Sequence, residues 1–193
     1  MIHSVMLEDN RARLFPLTLE NYTDLEPIAF QRGLVAFSPA FIETAEAFRQ
    51  YVFQAIEQQQ AGLSIPLIIY DKKTTSFAGS TRFMNIDRPN KVLHIGATWM
   101  GREFHGSGLN THVKFLMLHH AFEVMGFEKV EFRIDERNIR SRRAVEKLGA
   151  VHEGILRKNV YLSDGFKRNT CCYGILLEEW ASIKIELRVK LKL

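Results

Sequence analysis

The chain has few of the residues that build cross-linked or metal-clamped folds. Its 193 residues include two cysteines, and these are adjacent, Cys171 and Cys172. Neighbouring side chains on a strand point to opposite faces, so a disulfide between them is disfavoured, and no metal-ligand spacing exists. No apolar run approaches the roughly 20 residues needed to span a bilayer, and the N-terminus lacks a basic-then-apolar leader pattern. These absences point to a cytoplasmic protein with no metal and no membrane contact. An excess of one charge is missing too. The formal net charge of +4 favours an anionic ligand slightly without marking a nucleic-acid binder. Arg137, Arg140, Arg142 and Arg143 form a basic cluster, but no aromatic residues are interleaved for base stacking. There is no internal repeat and no Pro/Gly/Ser-rich linker, so the chain reads as a single domain over 1–193, with a core of about 11–180 and a tail over 181–193.

What is present is an ordinary globular composition, 46% hydrophobic and 25% charged. Residues 10–17 are a mixed strand candidate. Thr18 or Asn21 is positioned to cap a helix to about Gly33, and Ser38-Pro39 is expected to open a second helix through Ala45, Phe48, Val52 and Ile56. Three strands follow, near 65–70, 77–87 and 92–100, separated by polar turns, which predicts an antiparallel meander. A helix from Leu109 to Met125 carries apolar residues at helical spacing, with a second stripe at 115, 118, 122 and 125. A short strand over 129–134 precedes a helix over 139–148 capped by Asn138 and closed by Gly149. Two strands, near 150–162 and 166–176, are joined by Ser163-Asp164-Gly165, a hairpin signal. The tail has Trp180 and Ile183, then apolar residues alternating with Arg and Lys.

The stretch from Trp99 to Asn110 organises the rest. A strand ends at Met100, a turn follows with Gly106-Ser107-Gly108, and a helix begins at Leu109. The first amides of a helix lack intrahelical partners and sit at the positive end of the dipole, so this is a plausible anion cradle. Two familiar phosphate motifs are excluded. No Gly-Lys-Ser/Thr follows, and no third glycine stands at dinucleotide-binding spacing.

Four signatures in order carry a resemblance: His105-Gly106-Ser107-Gly108; Arg137-Asn138-Ile139-Arg140-Ser141 with Lys147-Leu148-Gly149; Glu153-Gly154-Ile155-Leu156-Arg157; and Asp164-Gly165 leading to Glu179-Trp180. The chain resembles the GNAT superfamily of N-acetyltransferases, and within it the ribosomal-protein N-terminal acetyltransferase branch, from Arg11 to Trp180. The resemblance implies an α/β (α+β) domain with a mixed sheet of about seven strands in the order β-α-α-β-β-β-α-β-α-β-β. It implies acetyl-CoA as co-substrate and a primary amine, a protein N-terminus or a small molecule, as acceptor. The alternative is a non-catalytic acyl-CoA-binding or interaction module. By the same resemblance the main chain of Phe104, His105, Gly106, Ser107, Gly108, Leu109 and Asn110 cradles the pyrophosphate. Trp99 and Met100 pair with the pantetheine arm as a further strand would, and Asn138 reaches that arm.

Many members protonate the leaving thiolate with a tyrosine. Val145 stands at that position here, and the serine found in the ribosomal-protein branch is matched by Ser141, which becomes the candidate proton donor. The strand glutamate that serves many members as general base is replaced by His94. Its unperturbed pKa of about 6.5 suits that role, although a strand histidine pointing elsewhere reads equally well. Asp135, His152 and Glu153 are alternatives. Glu103 and His105 reduce positive charge near the phosphates relative to the family, a loss Arg102 is expected to offset. Phe30, Phe37, Phe41 and Tyr161 are expected around the acceptor. Members often pair through their final strands, so a homodimer is an option the resemblance leaves open.

Overall fold

The structure, a computed structural model, describes residues 5–193. Two strands open the chain, β1 (Leu7–Glu8) and β2 (Ala12–Pro16), then a 3-10 turn (Tyr22–Leu25), α1 (Glu26–Ala29) and α2 (Ala45–Gln60). The meander is β3 (Ser64–Asp71), β4 (Ser76–Asp87) and β5 (Val92–Met100). Next come α3 (Leu109–His119), which runs into a π-helical turn His120–Val124, then β6 (Lys129–Asp135) and α4 (Ile139–Glu146). The chain finishes with β7 (Val151–Tyr161), β8 (Lys167–Leu176) and α5 (Leu177–Leu191).

The sheet runs β1-β2-β3-β4-β5-β6-β8-β7, and every pairing is antiparallel except β5 with β6. Alternation along the strands divides the side chains between two cores. Leu14, Leu67, Phe83, Leu93 and Ile95 meet α3 and α5 on one face. Ile68 and Trp99 meet Ile28, Phe48 and Val52 of α1 and α2 on the other. This is the mixed α/β domain that the order of elements predicts.

Four details differ from expectation, each for a local reason. The first helix does not run from Asn21 to Gly33. Pro27 lacks an amide and its ring would strike the preceding turn of a continuous helix, so the segment splits into a 3-10 turn and a single α turn with Pro27 near its start. The second helix opens at Ala45 rather than at Ser38-Pro39, because Thr44 is the residue that caps it, accepting from the Ala47 amide at 3.2 Å. Ile42, fully buried, holds the intervening segment to the core. The strand count is eight, since Leu7–Glu8 adds a two-residue edge. The tail is a helix: Trp180, Ile183 and Leu187 repeat at helical spacing and are buried, and the Glu179 carboxylate accepts from the Leu176 amide at 2.8 Å at its start.

The feature that matters for function is a short pairing. β5 and β6 are joined at only three register positions, from Val92↔Lys129 to His94↔Glu131. Beyond them β5 continues to Met100 and β6 to Asp135 without pairing to each other. Two irregularities sit beside the parting. Ala97 in β5 has φ 47°, opposite a register shift between Ser80 and Arg82 in β4, and Asn85 has φ 49° beside a second shift. Bulges of this kind bend a strand and re-aim its side chains.

Candidate active site

The turn after β5 carries two glycines in the left-handed region. Gly106 and Gly108 have φ of +74° and +87°, and a Cβ added at either would meet nothing within 4 Å. Glycine is therefore demanded by the backbone conformation, and the space beside it is open to a ligand. The amides of Phe104, His105 and Ser107 are consumed inside the loop, donating to the carbonyls of Gly101, Arg102 and Phe104. Leu109 donates weakly to Ser107 Oγ at 3.3 Å. Among the described residues nothing accepts from the amides of Gly106, Gly108 or Asn110. The seven-residue stretch expected to grip a diphosphate thus narrows to three donors, and they lie at the start of α3, where the helix dipole adds to them. Asn110 Oδ1 is also buried without a partner. The three amide donors, not this acceptor oxygen, fit a pyrophosphate.

Side chains of the same stretch do other work. Phe104 and Leu109 are buried in the core, as are Trp99 and Met100, so all four offer a ligand main chain only. His105 bridges the loop: Nε2 meets the Met100 carbonyl at 3.2 Å and Nδ1 meets Arg140 Nη1 of α4 at 2.8 Å. Burial, then the Arg140 charge, holds its pKa below the usual histidine value, so it is neutral at pH 7. The offset expected from Arg102 is not made, because its guanidinium donates to the Arg32 carbonyl and points toward the α1 side. Arg140 is the cation beside the loop.

Asn138 caps α4 with Oδ1, accepting from the Ser141 amide at 3.1 Å. Its Nδ2 makes no bond to a described residue, so the cap leaves a donor for a ligand. Ser141 is half-buried in the first turn of α4, and its hydroxyl is likewise free of described partners. Val145 is buried in the core, in keeping with a position that does no proton chemistry here.

His94 lies at the last paired position of β5 and β6. Nε2 is 2.9 Å from Glu131 Oε2, and Nδ1 is 3.0 Å from Asn85 Nδ2. The amide donates to Nδ1, which assigns the ring proton to Nε2. Burial lowers the pKa, opposed by the Glu131 carboxylate. The ring can take a further proton only if Asn85 turns its amide to present oxygen. Asn85 is therefore part of any base at this position, and no spacing in the sequence hints at it. Of the alternatives, Asp135 is committed to Arg137 at 2.7 Å and Glu153 to Lys129 at 2.9 Å.

Behind the Ala97 bulge, on the α3 face, lies a residue the sequence reading missed. Lys114 is 4% exposed, and its Nζ donates to Thr98 Oγ1 at 2.7 Å and Thr81 Oγ1 at 3.3 Å. Burial brings its pKa down to about 7. On the opposite face the connection between α1 and α2 meets the β7–β8 end. The Phe37 carbonyl accepts from Arg168 at 2.7 Å, and Arg137 stacks on Phe166 at 3.8 Å and lies 5.5 Å from Phe37. Phe30, Phe41 and Tyr161 are surface-accessible, with Phe30 edge-on to Phe48. Arg137, Arg140 and Arg142 are each tied to a different partner, Arg142 to Tyr173, so they form no shared cationic surface. Cys171 and Cys172 are unlinked, and burial raises both thiols, which leaves them poor nucleophiles.

A sheet that parts beside a glycine turn, with unpartnered helix-start amides at the mouth of the gap, is the architecture of an acyl-CoA-dependent acetyltransferase. The sequence matches the acetyltransferase (GNAT) domain over residues 11–151, and the chain belongs to that family as an acyl-CoA-dependent N-acetyltransferase. It is 27% identical over 143 residues to YdaF of Bacillus subtilis (strain 168), a candidate ribosomal N-acetyltransferase, covering 73% of this chain and 75% of that one. A candidate acetyltransferase from T. thermophilus superposes with a TM-score of 0.85 at 33% identity, over 99% of each chain. Mycobacterium smegmatis RimJ, solved with CoA-disulfide, shares the fold with a TM-score of 0.82 at 18% identity, over 98% of this chain and 94% of that one.

Proposed function

We propose that the protein transfers an acetyl group from acetyl-CoA directly to a primary amine, with the cofactor lying in the gap between β5 and β6. The observation that carries this is the trio of free amides at Gly106, Gly108 and Asn110, beside a β5–β6 pairing that stops at His94. The pyrophosphate meets those amides, the pantetheine arm runs along the main chain of Trp99 and Met100, and Asn138 Nδ2 donates to it. The CoA-disulfide in RimJ supports the same ligand chemistry in this fold.

In the reaction the amine nitrogen attacks the thioester carbon, giving a tetrahedral oxyanion, and the C–S bond breaks. The departing thiolate takes its proton from Ser141 Oγ, which recovers one from solvent. The proton lost by the amine goes to His94 Nδ1 with Asn85 turned over, or to bulk water through it. Positioning of the two reactants supplies most of the rate, as no covalent acyl-enzyme is needed. The acceptor is a protein N-terminus or a small amine, the choice that YdaF's name and the open acceptor side both leave in play. Release of CoA thiol over a panel of peptides, amino acids and polyamines tests the reading. Turnover with at least one amine is expected. Tight acetyl-CoA binding with no acceptor at all would favour the binding-module alternative.

A further inference from the structure

Arg82 is a buried cation with no anion. It sits in β4 opposite Gly96, at the register shift that faces the Ala97 bulge. Strand alternation turns it to the α2 face, together with Ser80 and Met84. It is 5% exposed. Its guanidinium lies 4.1 Å over the Tyr51 ring, one Nη reaches the Tyr51 carbonyl at a long 3.4 Å, and Nε is buried with no partner. Among the described residues no carboxylate forms an ion pair with it. The magnitudes do not balance. A cation–π contact offsets only part of the cost of burying a charge.

The location narrows what would complete it. Tyr51 is held in turn by Trp99, whose Nε1 donates to Tyr51 Oη at 3.3 Å, and Trp99 belongs to the strand along which the pantetheine arm is placed. Tyr51 also lines a cavity of about 240 Å³ with Phe41, Gln50 and Gln54. The uncompensated guanidinium therefore lies beside the strand bulge, on the α2 face, where the acetyltransferase reading puts the acceptor. An arginine presents a planar fork of donors that matches a carboxylate.

Resting on the acetyltransferase reading above, we propose that Arg82 holds the carboxylate of the acceptor. The substrate is then a small amine bearing a carboxylate, of the α-amino-acid class, with its side chain directed to the cavity beside Tyr51. A protein N-terminus brings no such carboxylate and would leave Arg82 unpaired.

The test needs no turnover. N-acetylated amino acids, the products, and the matching carboxamides are titrated by calorimetry into CoA-saturated protein, wild type and Arg82→Met. Wild type is expected to bind the acids at least tenfold more tightly than the amides. Arg82→Met should bring the ratio to about one by weakening the acids alone, and Arg82→Lys should restore part of it. Acids and amides bound equally by wild type, neither bound, or both weakened alike in Arg82→Met would each overturn the assignment while CoA binding stands. Failure of CoA itself to bind would instead overturn the acetyltransferase reading beneath it.

Discussion

Replacing Lys114 by methionine tests the interior of the site with a computable outcome. The ammonium is buried, contacts only the hydroxyls of Thr81 and Thr98, and has its pKa brought from 10.5 to about 7 by burial. Because the folded pKa lies below the unfolded one, the unfolded chain binds more protons between about pH 7 and 10.5. Stability from this group therefore rises with pH across that window. At pH 7 the buried amine costs at most about 4 kcal/mol, and by pH 9 the cost falls to about 2. Methionine carries no such penalty, and the two threonine hydroxyls, already hydrogen-bonded to each other at 2.7 Å, keep that bond when the lysine is gone. Lys114→Met should thus melt higher than wild type at pH 7, and its advantage should shrink by about 2 kcal/mol on going to pH 9. In a domain of this size that is a change of about 4–8 °C in the difference of midpoints. Paired thermal unfolding followed by circular dichroism at pH 7, 8 and 9 reads it, with other titrations cancelling in the difference. A gap between the two proteins that stays constant with pH would refute the reasoning.

Ser141→Ala should lower kcat by about 100-fold with little change in acetyl-CoA affinity, the signature of a lost proton donor. Unchanged turnover removes Ser141 from that role. Asn85→Ala should shift the pH dependence of kcat/KM if His94 is the base, because it removes the partner fixing Nδ1; an unmoved profile assigns the base elsewhere. Trp180→Ala should cost about 3–5 kcal/mol, since the ring is buried, stacked on Phe122 at 5.4 Å and bonded to Glu123 at 2.7 Å. Urea denaturation measures it, and a loss under 1 kcal/mol would mean α5 is not anchored there.

Where the chain obeys simple periodicity, sequence and structure agree. The meander, the helix after Gly108 and the final hairpin follow from apolar spacing and turn residues alone. The misjudged segments are those decided by competition. At Ser38-Pro39 and Thr44 two caps are available, and the burial of Ile42 selects the second. In the tail, basic residues between apolar ones masked a helical repeat that Trp180, Ile183 and Leu187 define.

The glycine turn was legible because φ > 0 leaves a trace in residue type. The bulge at Ala97 was not, since alanine at φ 47° carries no such mark. Nor does composition say where two strands part, because register belongs to pairs of strands; the family resemblance supplied only Trp99 and Met100 as main chain that a ligand pairs with. Lys114 and Arg82 escaped notice for a related reason. A charged residue in an amphipathic element reads as solvent-facing, and only the packed structure reveals it as a buried cation.

The central claim is that the amides of Gly106, Gly108 and Asn110 hold acetyl-CoA beside the parted strands. Calorimetric titration of acetyl-CoA into wild type and Gly106→Trp tests it most directly, since an indole at 106 would fill the open space beside the turn, with Gly106→Ala as the control that carries the same backbone strain at φ +74° without the bulk. The account predicts binding to wild type and its loss in Gly106→Trp, with a folded protein throughout. Wild-type affinity retained by Gly106→Trp would contradict it.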